Sequence, residues 1–186
     1  MRFGYPVFLD LHGVPVLVVG AGAVGVRKIR GLVTAGANVH VVALDIDESL
    51  DRSSLAGLRQ QPYEPSDLDG KRLVITATGV PAVDANVASD AKEQGIWVNA
   101  ADQTDDCTFI LPAIARADDL TVAVSSDGTA PAVASWLRDR IRQEILDDET
   151  RRIAASIAER RRHIHAAGRS TEEVDWRAEI GALRRR

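Results

Sequence analysis

The sequence predicts an α/β protein: a parallel, doubly wound sheet, then a small β-containing segment, then a helical carboxy-terminal part. Three observations predict it. Apolar runs alternate with helix-like stretches through roughly the first hundred residues, a glycine triplet closes the first run, and after Asp102 strand-like runs follow one another without a helix between them.

Residues Pro15 to Lys28 read PVLVVGAGAVGVRK, a valine-rich run followed by Gly20, Gly22 and Gly25 at GxGxxG spacing and then a helix-like stretch. In a Rossmann-type nucleotide unit the first glycine allows a sharp turn and the second lets backbone approach a pyrophosphate. The third lets helix pack on strand. The N–H groups that open the following helix, at Ala23 and Val24, then face the phosphates, where the helix dipole favours negative charge. The same spacing also serves as a tight structural turn. A second strand, Asn38 to Ala43, follows the turn TAGAN and completes one βαβ unit. Leu44 and Asp45 come next. An acidic residue about 20 positions past the glycines takes the adenosine ribose hydroxyls, so Asp45 either does this or belongs to the turn DIDES. No basic residue follows at once to hold a 2′-phosphate, which favours NAD over NADP.

Asp47 to Gly57 is polar around Leu50 and Leu55, with Leu58 just beyond, and reads as a short helix or structured loop. Arg72 to Ala77 is a buried strand. Pro81 opens a helix to Gln94 with Gly95 as its stop, and Ile96 to Ala100 is a further strand. Phe109 to Ala115 and Leu120 to Val124 read as paired strands joined by RADD. The loop SSDGTAP leads to a helix from Ala132 to about Leu146. Residues 147–186 read as further helix, interrupted at Gly168, with Ser170 and Glu173 in a capping-box pattern before the last segment.

Composition bounds the function. At 186 residues the chain holds one principal domain with an appendage, and 45% hydrophobic residues exclude general disorder. A net charge of −4 argues against a nucleic-acid protein, although the tail is arginine-rich, with Arg151, Arg152 and Arg160 to Arg162 reading as a solvated helical face. The single cysteine, Cys107, excludes an internal disulfide and a cysteine-based zinc site, which fits a reducing, cytoplasmic setting. The amino terminus has no signal-peptide pattern, and no apolar run approaches a membrane span. The four histidines, His12, His40, His163 and His165, form no metal pattern, so no metal site is expected.

Ligands of a parallel sheet bind outside the carboxyl ends of its strands. Asp102, just past the strand IWVNA, shares that edge with Gly20 to Gly25. It reads equally as a base beside a nicotinamide and as a turn residue or cap within ADQTDD. Asn99 pairs backbone or amide groups. SSDGT reads as a phosphate or carboxylate cradle, or as a glycine-containing turn.

VLVVGAGAVGVRK, VHVVALD, LVITAT and VNAADQTDDCTFILPAIARADDLTVAVSSDGTAPAVASWLRDRI, in that order, resemble the precorrin-2 dehydrogenase family, which includes the amino-terminal part of siroheme synthase and stand-alone relatives. The resemblance covers about residues 3–146. It implies NAD-dependent oxidation of precorrin-2 to sirohydrochlorin, with Asp102 as the catalytic acid or base. It implies cofactor contacts at Gly20, Gly22, Ala23, Val24, Gly25, Leu44, Asp45 and Thr78. Asn99, Ser125, Ser126, Gly128 and Thr129 would border the tetrapyrrole. The substrate carries eight carboxylates, for which Arg116, Arg138 and Arg142 are candidate partners. Many members also insert ferrous iron at the same site, and the sequence leaves that second activity open for this chain. The implied organisation is an NAD-binding domain over residues 1–112, a dimerisation and substrate segment over 113–146 and a helical tail over 147–186, in a homodimer. GVPAVDAN after LVITAT departs from the family pattern, where acidic residues are common, and no methyltransferase domain follows. The competing reading is a non-catalytic NAD-sensing module, which has no need of Asp102. A carbonyl reductase ranks last, for want of a Ser/Tyr/Lys constellation or a catalytic histidine.

Overall fold

Alternate residues of β1 (Pro15–Ala21) supply both faces of the sheet. Val16 and Val18 enter one apolar cluster and Leu17 and Val19 the other, all of them buried. A strand apolar on both faces belongs at the centre of a covered parallel sheet, and that is where β1 lies. The computed structural model describes residues 2–185. Its first unit, ending at Leu111, is a five-stranded parallel sheet in the order β3-β2-β1-β4-β5, formed by β1, β2 (Asn38–Ile46), β3 (Gly57–Arg59), β4 (Leu73–Thr76) and β5 (Trp97–Ala100).

Helix α1 (Ala23–Thr34) buries Gly25, Val26, Ile29 and Leu32, the spacing of one helical face, against the Val16/Val18 side. Helix α2 (Pro81–Glu93) buries Val87, Ala88 and Ala91 against the Leu17/Val19 side. The strand order reverses between β1 and β4, so the glycine loop after β1 stands at the point where such sheets bind ligands.

Several expectations change. The second strand runs on to Ile46, so Leu44 and Asp45 lie within it and not in a following turn. Its pairing explains this: Val19 opposes Val42 but Ala21 opposes Ile46, so β2 carries two extra residues in a bulge that holds Leu44 and Asp45. The polar stretch from Asp47 is a turn and a single 3-10 turn at Arg52–Ser54, followed by the unforeseen edge strand β3.

The second unit begins at Pro112. Strands β6 (Ala113–Ala117) and β7 (Leu120–Val124) form an antiparallel hairpin, so the first of the pair begins later than Phe109, and Asp118-Asp119 alone make the turn. Helix α3 (Pro131–Arg140) gives way to π-helical turns over Ile141–Ile145. Ala115, Ala117 and Leu146, with Leu120, Val122 and Ile141, form this unit's apolar cluster. Helices α4 (Asp148–Ala166) and α5 (Trp176–Arg184) then pair through Arg184–Glu149 at 3.3 Å, Arg160–Glu179 at 3.7 Å and Arg152 Nη2 to the Leu183 carbonyl at 3.1 Å. Some of the tail arginines thus join the two helices. The anticipated Ser170/Glu173 box does not form: Ser170 Oγ accepts from the Glu172 N–H, and Asp175 caps α5 by accepting from the Ala178 N–H at 3.0 Å.

Candidate active site

The glycine loop is shaped by close approaches. A β-carbon on Gly20, whose φ is +97°, would stand 2.4 Å from the Ala77 carbonyl oxygen, and one on Gly25 would stand 2.2 Å from the Gly20 carbonyl oxygen. A β-carbon on Gly22 would meet no protein atom within 4 Å, and Gly22, Ala23 and Val24 are exposed. Gly20 and Gly25 therefore serve the packing of β1, β4 and α1, while Gly22 leaves open space on the outer side of the loop. Gly22 caps α1 without a side-chain hydrogen bond, and the first turn of α1 holds no acidic residue. The orphan N–H groups of that turn are left for an anion. These features fit a dinucleotide pyrophosphate.

A buried carboxylate that sequence reasoning missed supports the opposite wall. Asp84, in the first turn of α2, accepts from the hydroxyl of Thr76, the Thr78 N–H at 3.1 Å and the Thr78 hydroxyl at 2.9 Å. Its negative charge at the start of α2 is also favoured by the helix dipole. Thr78 is thus held beside the glycine loop by α2. The only sequence signal was an acidic residue three positions after Pro81, which is common in helix first turns.

Asp45 and Leu44 sit exposed on the β2 bulge, and the Leu44 carbonyl accepts from Gln60 Nε2 at 3.1 Å. Just beyond, Asp47 accepts from the Ser49 N–H at 2.9 Å, which holds its carboxyl below the usual range, and Arg30 binds the Ser49 carbonyl at 2.7 Å.

Asp102 follows β5 in the left-handed region, at φ +61°, within a turn in which the Ala101 N–H binds the Thr76 carbonyl at 2.9 Å. The carboxylate is exposed at the same sheet edge as the glycine loop. A non-glycine residue in this conformation persists where its surroundings fix it. Here they do. Asn99 is 6% exposed and donates to the Phe109 carbonyl at 3.1 Å and to Cys107 Sγ at 3.5 Å. The Cys107 thiol donates to the Ala100 and Gln103 carbonyls and accepts from the Ala100 N–H, and burial pushes its pKa up. Arg2 donates to the carbonyls of Thr104, Asp105 and Cys107 at 3.0–3.1 Å. Asn99, Cys107 and Arg2 together tie down the loop that carries Asp102.

In the second unit, Ser125 Oγ accepts from the Asp127 N–H, Ser126 Oγ from the Ala130 N–H, and the Thr129 hydroxyl donates to the Ser126 carbonyl. The turn carries two successive left-handed residues, Asp127 and Gly128. Arg138 forms a two-pronged pair with Asp139, whereas Arg116 and Arg142 are exposed. Among the described residues no group of three or more His, Cys, Asp or Glu is arranged to hold a metal ion, and no helix is long and apolar enough to cross a membrane.

Sheet order, glycine loop and edge carboxylate define a dinucleotide-binding α/β protein. Residues 7–113 match the family model described as putative NAD(P)-binding, and residues 118–144 match the model of the sirohaem biosynthesis protein central region. Siroheme synthase from Methylococcus capsulatus is 43% identical over 83% of this chain and 34% of its own length, and that from Methylobacillus flagellatus is 41% identical over 83% and 33%. The chain spans about one third of the length of these curated relatives. A solved structure of SirC, precorrin-2 dehydrogenase, superposes with a TM-score of 0.76 at 26% identity, over 96% of this chain and 87% of that one. The chain belongs to the putative NAD(P)-binding family whose model it matches over residues 7–113. The matches support NAD as its cofactor.

Proposed function

We propose that this chain acts in siroheme biosynthesis by oxidising precorrin-2 to sirohydrochlorin, with Asp102 accepting the proton that leaves the ring. The observation that carries the reading is an exposed carboxylate, fixed in a left-handed turn, at the sheet edge that also bears the open glycine loop. NAD, when bound, supplies the hydride acceptor. Gly22 and the first N–H groups of α1, at Ala23, Val24 and Gly25, hold its pyrophosphate, Asp45 its ribose hydroxyls, and Leu44 and the Thr78 turn flank it. One C–H bond gives its electron pair as hydride and a second gives its proton to Asp102, so conjugation extends and no other oxidant is needed.

Asn99 serves the substrate site by fixing the loop under Asp102, and Ser125, Ser126, Gly128 and Thr129 are assigned to substrate contacts in the second unit. The working form is assigned as a homodimer. Val133, Trp136 and Leu137 leave an apolar face of α3 exposed, and Trp136 is 57% exposed, which supports burial against a second copy.

The experiment is anaerobic. Purified protein is mixed with enzymatically generated precorrin-2 and NAD, and the absorption spectrum is followed. NAD-dependent appearance of sirohydrochlorin supports the dehydrogenase; an unchanged spectrum while NAD binds removes it and leaves the NAD-sensing module. Ferrous iron is then added. Siroheme formation faster than in a protein-free control adds iron insertion by the same site.

A further inference from the structure

The loop after β5 is gripped by a side chain that begins 102 positions before it in sequence. Arg2 Nη1 donates to the Thr104 carbonyl at 3.1 Å and to Asp105 Oδ1 at 3.3 Å, and Nη2 donates to the Asp105 and Cys107 carbonyls, each at 3.0 Å. The Asp105 side chain is fully exposed, so its ion pair adds little. The three carbonyl bonds do the holding. A guanidinium suits this task because its planar fork presents donors in several fixed directions at once, whereas a lysine ammonium is a single mobile point.

The segment that delivers Arg2 is itself fixed. Leu11 packs against the apolar cluster of β1 and α1, the His12 N–H binds Asp10 Oδ1 at 3.0 Å, and the Gly13 N–H binds the Gly36 carbonyl at 2.9 Å. The Phe3 ring lies 5.0 Å from the guanidinium carbon. On the inner side of the loop the Cys107 thiol donates to the Ala100 and Gln103 carbonyls, which flank the turn that bears Asp102. The restraint thus passes from Arg2 through Cys107 to that turn. It has something to restrain, because the left-handed φ of +61° at Asp102 relaxes wherever the surroundings allow it.

We propose that Arg2 is a positioning residue of the reaction: its guanidinium clamps the loop after β5 and keeps the Asp102 carboxylate at the sheet edge in the geometry that proton transfer requires. The inference rests on the reading of Asp102 as the proton acceptor. Arg2 itself exchanges no proton.

Cys107, the single cysteine of the chain, reports the clamp without turnover. It is 3% exposed, so a thiol reagent reaches it only when the loop opens. Arg2→Met keeps the side-chain stem and removes every donor. The expected result is labelling of Cys107 by dithiobis(nitrobenzoate) that is faster by roughly tenfold or more. The charge of Arg2 acts to lower the pKa of the thiol, so its loss alone would slow labelling, and acceleration reports opening. Tyr63→Phe is the control. It removes the Tyr63–Asp90 hydrogen bond of 2.9 Å, away from the loop, and labels at the wild-type rate. Unchanged or slower labelling in Arg2→Met, or equal acceleration in Tyr63→Phe, overturns the clamp. With precorrin-2, Arg2→Met lowers kcat by roughly 10- to 100-fold while the KM for NAD is unchanged. An unchanged kcat with Cys107 exposed overturns the positioning role. A wild type that does not oxidise precorrin-2, with Cys107 still released in Arg2→Met, counts against the reading of Asp102 and not against the clamp.

Discussion

The carbonyl oxygen of Gly20 occupies the space a side chain on Gly25 would need: a β-carbon there would lie 2.2 Å away, backbone against backbone. Neither atom can move without separating β1 from α1. Gly22, between them in sequence, has no such neighbour.

The two outer glycines and the middle one therefore fail differently. Gly25→Ala destabilises the fold by about 1–3 kcal/mol, with loss of NAD binding as a consequence. Gly22→Ala leaves the melting temperature within a few degrees of wild type and weakens NAD binding. Thermal melts and NAD titrations on the two variants check this; equal destabilisation contradicts it.

Asp102 combines function with a conformation that costs stability. Asp102→Gly relaxes the φ of +61° and stabilises the chain by about 1 kcal/mol, while turnover falls by roughly 100- to 10,000-fold. Asp102→Asn loses turnover without the gain in stability, and NAD affinity stays near wild type in both. Denaturant melts beside rate measurements give the comparison. An active Asp102→Gly variant refutes the role of the carboxylate.

Asp84 links fold to cofactor. Removing its carboxylate in Asp84→Ala leaves the buried Thr76 hydroxyl and the Thr78 N–H without their acceptor, at about 1–3 kcal/mol for each such group. The expected result is a clear fall in stability together with a higher KM for NAD, because the turn at Thr78 is released. Melts and steady-state kinetics decide it.

His40 sets a pH dependence. Burial, and then Lys71, lower its pKa in the folded chain below the ordinary histidine value. A depressed folded value means that its contribution is present above the unfolded pKa and is lost as pH falls through the folded one. Wild type therefore loses more melting temperature between pH 7 and pH 5 than His40→Gln does. Equal losses contradict the assignment.

The α3 face predicts an oligomer. Trp136→Glu converts a dimer to a monomer in light scattering while secondary structure is retained; a wild type that is already monomeric at micromolar concentration contradicts the assignment.

How much of this was legible in the sequence follows from how local each signal is. The β1, glycine loop and α1 unit is visible because burial on both faces, tight spacing and helical periodicity coincide within twenty residues. Strand β3 was not visible: three residues, Gly57–Arg59, carry no period, and only pairing with β2 makes them a strand. Asp45 appeared to lie past its strand because apolar character stops before the bulge that extends β2 to Ile46. Asp84 looks in sequence like an ordinary residue of a helix first turn. Its meaning comes from Thr76 and Thr78, brought to it by the fold. Ser170 had a capping pattern, but Asp175 stands nearer the start of α5 and takes the cap.

The decisive measurement is a single-turnover mix of precorrin-2 with NAD and excess protein, followed by NADH absorbance under anaerobic conditions, in wild type and Asp102→Asn at equal NAD occupancy. One NADH per precorrin-2 in wild type, with formation slowed at least about 100-fold in Asp102→Asn, is the predicted result. NADH formation at equal rates in the two proteins, or none in either while NAD is bound, would contradict it.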